Sequence, residues 1–307
     1  MTFGWLYFST PPLSPTTPEL IETTAPVSEN KNNKADAGTG EFSDPPEKIW
    51  IKDDRYNYLG FTFGKTCAAN EEPYSDCGLT IEKHGKVLNR INFRHFPLEE
   101  VQYGLFNLLG GEDKQLIFQL YTGGVNCCFI YTIYDLEPEF HIIYDSTKNY
   151  GREDEIGNRL VPVDIDHDGV YEFRQDVTTF DYFFASHADS VFPPAVFAYD
   201  RKEKSYKIAN KKFPDFVLST MRRNRFLLEK GGEGEKDESE SVRLVNMRNE
   251  HRYRVQMTFL FMIYAGNKAE AWDYFDINYD FQDKELYRRD VKNLFAMDPT
   301  YKSIYGR

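Results

Sequence analysis

The chain has 307 residues, with 37 basic against 49 acidic side chains and a formal net charge of −12; aromatic residues reach 16%, including 25 Phe and 21 Tyr. That balance argues against a general nucleic-acid binder, which neutralises phosphates with a basic surface. No apolar run approaches the ~18 residues of a membrane-spanning helix, so no transmembrane segment is expected.

A short apolar patch from Phe3 to Phe8 opens the chain, and Pro, Ser, Thr, Asn, Glu and Gly dominate from there to residue 48. Such a segment buries too little apolar surface to offset its ordering entropy, so residues 1–48 are expected to form a disordered N-terminal tether. The patch lacks a preceding Lys or Arg and is shorter than the ~7–15 apolar residues of a signal-peptide core. Taken as the true start it implies a cytoplasmic protein. A leader truncated by a late start implies an exported one: periplasmic, surface-tethered or secreted. The four cysteines and an acidic loop near residue 168 favour export.

From Ile49 onward, short runs rich in Ile, Val, Tyr and Phe are punctuated by Gly, Asn and Asp, the pattern of strands and turns. Most alternate, as Phe61 and Phe63 do against Thr62 and Gly64, which predicts half-buried antiparallel strands. His84–Gly85 in EKHGKV reads as a hairpin turn, and YDRKEKSYKI as a hairpin with a longer polar turn. Residues 49–213 are expected to hold about nine strands.

After residue 213 the period changes. PDFVLSTMRRNRFLLEKGG places Phe216, Val217, Met221, Leu227 and Leu228 near helical spacing and stops at Gly231–Gly232. An acidic stretch, 231–241, is expected as a solvated loop. VRLVNMRNEHRYRVQMTFLFMIYAGNK is a long helix whose second half is apolar nearly all round and should pack inside. AEAWDYFDINY and DKELYRRDVKNLFAMD complete four helices. The fold expected is α+β: an antiparallel β-rich domain over 49–213, propeller-blade-like or a sandwich, followed by a helical segment over 214–307.

The most specific stretch is VDIDHDGVYEF. Asp164, Asp166 and Asp168 occupy positions 1, 3 and 5 of a loop, Gly169 position 6 and Glu172 position 9. In an extended turn alternate residues point the same way, so the carboxylates converge, and Gly169 permits the left-handed kink that folds the loop around an ion. Val170 would offer its backbone carbonyl, and Glu172 would close the shell. Many flexibly held hard oxygens suit Ca²⁺, so a structural Ca²⁺ is expected. His167 falls on the outward parity. Four carboxylates this close repel one another unless a cation compensates them.

The loop departs from the helix–loop–helix calcium hand, because position 12 is Gln175 and the flanks read as strands. It resembles the shorter calcium loop of FG-GAP/VCBS repeats, the units of integrin-α-type β-propellers. In those repeats the loop joins two strands and the acidic residue at position 9 completes the site. The resemblance covers about a dozen residues and occurs once, and a propeller needs at least about four four-stranded blades. It therefore implies the loop and its ligands, not a whole propeller.

Four cysteines, Cys67, Cys77, Cys127 and Cys128, fit disulfides in an exported protein, with three pairings open. Cys67 and Cys77 bracket a polar loop between two strands, where a bridge would close the hairpin. Cys127 and Cys128 are adjacent, and adjacent strand residues face opposite ways. They would either reach back to Cys67 and Cys77 or stay free and buried. No CxxC spacing supports zinc. Thr122, Gly123, Gly124, Cys127 and Cys128 resemble a TGGxxCC strand–turn element of bacterial exported proteins that have no assigned activity, some with a nearby DxDxDG loop. That resemblance implies export and no chemistry.

Signatures of common enzyme classes are absent from the sequence: no GxSxG, HExxH, Walker loop or GxGxxG. Ser186, His187, Asp189 and Ser190 lie too close in sequence for a triad, which draws on distant segments. Arg222, Arg223 and Arg225 read as the exposed face of a helix. The function expected is a non-enzymatic, Ca²⁺-stabilised module that recognises a protein or glycan, exported or surface-tethered. The alternative is a secreted glycan- or ester-directed hydrolase with a cation near its active site.

Overall fold

The computed structural model of the protein describes residues 46–51, 54–68, 75–96, 101–121, 129–150, 159–231 and 240–306. The chain divides into two units, Met1–Glu41 and Phe42–Arg307, and every described residue belongs to the second. The expected tether up to residue 45, the TGGxxCC segment at 122–128 with Cys127 and Cys128, and the acidic stretch at 232–239 lie outside the described residues.

The α+β order expected from the sequence is the order found. Thirteen described strands form three antiparallel sheets, each built largely of chain neighbours. The first sheet holds β2 (Arg55–Tyr58), β3 (Phe61–Ala68), β4 (Ser75–Lys83) and β5 (Lys86–Phe96). The second holds β6 (Val101–Phe106), β7 (Gln115–Tyr121), β8 (Phe129–Asp135) and β9 (His141–Asp145), with β1 (Lys48–Trp50) paired to the outer edge of β6. The third holds β10 (Val161–Val163), β11 (Glu172–Asp176), β12 (Pro194–Asp200) and β13 (Ser205–Ile208). Helix α1 (Ser146–Tyr150) follows β9, and α2 (Pro214–Gly231), α3 (Glu240–Tyr264), α4 (Lys268–Asn278), α5 (Lys284–Met297) and α6 (Pro299–Tyr305) close the chain.

The strands outnumber the nine expected in part because one apolar run holds two strands. YNYLGFTFGKTCA folds back at Leu59–Gly60, where both residues have positive φ, +47° and +78°. His84–Gly85 does the same at +50° and +78° between β4 and β5. Two consecutive left-handed residues make the turn whose twist matches that of paired strands. The β3–β4 register places Cys67 opposite Cys77.

Alternation along the strands of the second sheet gives it two buried faces. Tyr103, Leu105, Leu116 and Phe118 pack with Phe61, Phe63, Leu79 and Ile81 of the first sheet. Phe106, Ile117, Tyr131 and Ile133 join a larger core with Phe173, Val196 and Phe197 of the third sheet and with Val217, Phe259, Phe275 and Tyr287 of the helices. The third sheet and the helices therefore share one core. Each fully buried side chain of this size contributes roughly 1.5–3 kcal/mol. Most of the second half of α3 is buried, at Val255, Met257, Phe259, Leu260, Phe261, Ile263 and Tyr264, as its apolar character nearly all round predicts.

One buried amide fastens the third sheet to α3. Asn210, with no exposed surface, accepts from Val196 N at 2.8 Å through Oδ1. Its Nδ2 donates to Pro194 O at 2.8 Å and to Tyr264 O at 3.0 Å.

Candidate metal centre

The acidic loop joins β10 to β11, two strands paired through Val163 and Glu172. Strand pairing thus brings the first and last acidic positions together, because Asp164 follows Val163 and Glu172 stands opposite it. Three of the four carboxylates singled out in the sequence converge: Asp164, Asp166 and Glu172 each offer an oxygen, all within 4.8 Å of one another. Asp168 is not in that set. Its Oδ1 accepts the Val170 amide at 2.8 Å, a short-range bond of the kind that stabilises tight turns. Asp164 caps the loop from the other side, taking Asp168 N on Oδ1 and Gly169 N on Oδ2, both at 3.1 Å. Val170 is buried.

The kink expected at Gly169 is present, with φ +81°, and His167 is left-handed as well, at +57°. The loop is therefore a tight bend rather than an extended turn. Alternation alone does not set its side-chain directions, which is why Asp168 departs from the parity of Asp164 and Asp166. His167 is exposed.

Two neighbouring segments hold the loop. One is the turn between β6 and β7, where Leu108 O accepts Tyr171 N at 2.8 Å. In the same turn Gly110, at φ +69°, approaches so closely that a Cβ there would sit 3.1 Å from Gly169 O. The other is the end of the third sheet. Lys212, from the turn after β13, donates to Asp166 Oδ2 at 2.9 Å. Tyr206 on β13 donates to Tyr171 O at 2.9 Å. Gly110 and Lys212 carry no sequence signal that links them to the loop. Only tertiary packing brings them there.

Glu172 is the exceptional group. It is 3% exposed, and its Oε2 accepts Ile165 N at 2.9 Å. Burial pushes its carboxyl up from 4.5 to about 7; the Ile165 amide and the Lys212 charge pull it down, and the Asp166 and Asp168 charges push it up. Lys212 is raised above its ordinary value, chiefly by its hydrogen bond to Asp166. Lys212, which lowers the Glu172 carboxyl, stands on the exposed rim of the loop. The donor set is all hard oxygen, which fits Ca²⁺ or a similar cation rather than zinc.

The serine–histidine segment does not assemble a nucleophile. His187 Nδ1 lies 2.8 Å from Asp181 Oδ1. The Ser186 hydroxyl donates to Asp189 Oδ2 at 2.6 Å, and the Ser190 hydroxyl donates to Ser186 O at 2.8 Å. Both hydroxyls are thus committed within their own loop and not to His187, unlike a nucleophile bonded to its base. Arg222 is exposed, and the side chains of Arg223 and Arg225 lie outside the described residues.

Two cavities of about 470 Å³ each lie near the helices. One is lined by Lys212, but neither is lined by Asp164, Asp166, Asp168 or Glu172. Among the described residues no helix is long and apolar enough to cross a membrane. Comparison with family models, with curated proteins and with solved structures gives no match.

Proposed function

We propose that the protein is a non-enzymatic binding module whose β10–β11 loop is riveted by Ca²⁺ through Asp164, Asp166 and Glu172, with Asp168 and the Val170 carbonyl within the same loop. The observation that carries this reading is the convergence of three carboxylates, one of them buried, on a bend held between two sheets. The cation's role is structural: it compensates a charge that the fold has removed from water. The ligand class is a protein or a glycan, and the setting is outside the cytoplasm.

The test is thermal unfolding of the full chain in EDTA and in Ca²⁺. A ligand bound only by the folded state at ~100 times its dissociation constant adds roughly 2.7 kcal/mol. A melting temperature that rises with Ca²⁺ in the wild type and not in Asp164→Ala supports the reading; identical melts in EDTA and Ca²⁺ reject it. Export is tested separately: four reactive thiols in the unfolded, unreduced protein would reject the bridges that accompany it.

A further inference from the structure

The cavity that Lys212 does not line has a different chemistry. It lies among three successive helices, with Lys268 and Trp272 from α4, Lys292 and Phe295 from α5, and Tyr301 and Lys302 from α6. Its volume, about 470 Å³, falls within the ~300–1,000 Å³ of small-molecule sites. Aromatic side chains make the floor. Trp272 is braced edge-on by Phe259 and Phe275, with centroids 4.8 Å and 5.6 Å away, and Phe295 stacks on Tyr301 at 4.5 Å.

The rim is cationic, in a chain whose net charge is −12. Lys268, Lys292 and Lys302 form no ion pair among the described residues, and two of them lie over rings instead. Lys292 Nζ is 5.3 Å from the Trp272 centroid, and Lys268 Nζ is 5.4 Å from that of Tyr301 and 5.0 Å from that of Tyr305. Two acids that feel these lysines are engaged elsewhere. Asp276 is bound by Arg288, and Asp298 takes the Thr179 hydroxyl at 2.6 Å and the Tyr301 amide at 2.5 Å. A cation over a ring face gains less than one that meets an anion in a partly desolvated site.

We infer that this cavity binds a small aromatic anion, an aromatic ring joined to a phosphate or a carboxylate, with the ring against Trp272, Phe295 and Tyr301 and the anion held by Lys268, Lys292 and Lys302. The aromatic floor gives the ring a matching surface, and three ammonium groups at one mouth are point charges on flexible stems, suited to either anion. The site shares no residue with the acidic loop, so the inference stands whether or not that loop holds a cation.

The experiment is calorimetric titration of the full chain at low salt with two aromatic anions, adenosine 5′-monophosphate and indole-3-acetate. Adenosine and inorganic phosphate serve as the ring alone and the charge alone. Saturable binding of at least one aromatic anion is expected, with each control weaker by about tenfold or more, the equivalent of roughly 1.4 kcal/mol. The tighter of the two identifies the anion as phosphate or carboxylate. Lys292→Glu and Lys302→Glu, both at exposed positions, should weaken binding by a similar factor, and Lys86→Glu, exposed on the first sheet, should not. The inference fails if neither aromatic anion saturates at millimolar concentration, if a control binds as well as the anions, or if the two cavity variants bind like the wild type.

Discussion

Lys212 Nζ donates to Asp166 Oδ2 at 2.9 Å across 46 positions of sequence, so the acidic loop already carries one cation of the chain's own. The pair is substantially exposed, at 59% for the lysine and 34% for the aspartate. Such a pair is worth only ~0.2–1 kcal/mol. It partly offsets the repulsion in the loop, and it also competes with a divalent ion for Asp166. Lys212→Gln should therefore tighten Ca²⁺ binding by about 1.4- to 5-fold, the range implied by that energy. The gain should shrink as salt screens the exposed pair. Calorimetry at two ionic strengths checks both parts. Weaker binding in the variant would mean that Lys212 positions Asp166 for the ion rather than competing with it.

Glu172 makes stability depend on pH in a direction unusual for a carboxylate. In the folded chain it keeps its proton up to about pH 7, against an ordinary value of 4.5, because it is buried. Between those values the folded state binds more protons than the unfolded state. The contribution of this group is therefore fully present below the unfolded value and is lost as pH rises through the folded one. At roughly 1.4 kcal/mol for each tenfold change in proton affinity, the full loss is on the order of 3–4 kcal/mol. Urea melts in EDTA at pH 5 and pH 8 should show it as a difference between wild type and Glu172→Gln. The amide can still accept from Ile165 but has no charge to desolvate, so the variant should be the more stable of the two at pH 8. With Ca²⁺ present the order should invert, since only the carboxylate gains from the ion.

How far the sequence discloses this arrangement depends on the range of the interactions concerned. The hairpin at His84–Gly85, the buried half of α3 and the acid spacing from Asp164 to Glu172 are local patterns, and the structure has them. The turn at Leu59–Gly60 is hidden because leucine carries no preference for the left-handed region, so two strands read as one. β6 contains Gly104 in its middle, which weakens a strand signal. The placement of Asp168 depends on His167 taking a positive φ, and no spacing rule encodes that. Gly110 and Lys212 enter the centre through packing between sheets, 59 and 43 positions from Gly169 by their numbering. The lysine-rimmed cavity likewise draws on three helices, of which the sequence reading finds α4 and α5 but not the short α6, and no pattern within any one of them brings their lysines to one mouth.

The glycines of the β6–β7 turn offer a paired test of that packing. Gly110 and Gly111 are both left-handed, at φ +69° and +87°. A Cβ at Gly110 would lie 3.1 Å from Gly169 O, whereas one at Gly111 meets nothing within 4 Å. Gly111→Ala should cost only the ~1–2 kcal/mol of left-handed backbone. Gly110→Ala should cost more, because it must also push the carbonyl of the loop's own kink. Denaturant melts would give the two stabilities, and calcium titration should separate them further: weakened binding for Gly110→Ala, unchanged binding for Gly111→Ala. Equal effects on calcium would show that the β6–β7 turn does not shape the loop.

Asn210 fixes the third sheet, and with it the acidic loop, against α3. It has three hydrogen bonds and no exposed surface: the Val196 amide donates to its Oδ1, and its Nδ2 serves the carbonyls of Pro194 and Tyr264. Truncation to Ala removes all three and leaves a cavity. Each buried backbone group left without a partner costs about 1–3 kcal/mol, so a total of roughly 3–5 kcal/mol is expected, the range of the most damaging single substitutions. Asn210→Asp separates hydrogen bonding from volume. The carboxylate has nearly the same shape and still accepts from Val196, but when ionised it faces two carbonyl oxygens with no proton to give them. Protonated, it restores one donor. Burial and those carbonyls should raise its pKa above the unfolded value, so Asn210→Asp should approach wild-type stability at low pH and lose it as pH rises. Asn210→Ala should be equally damaging at both ends. Urea melts of the two variants at pH 4.5 and pH 8 give the comparison. Parallel pH profiles would show that volume, not the donated hydrogen bonds, is what joins the sheet to the helix.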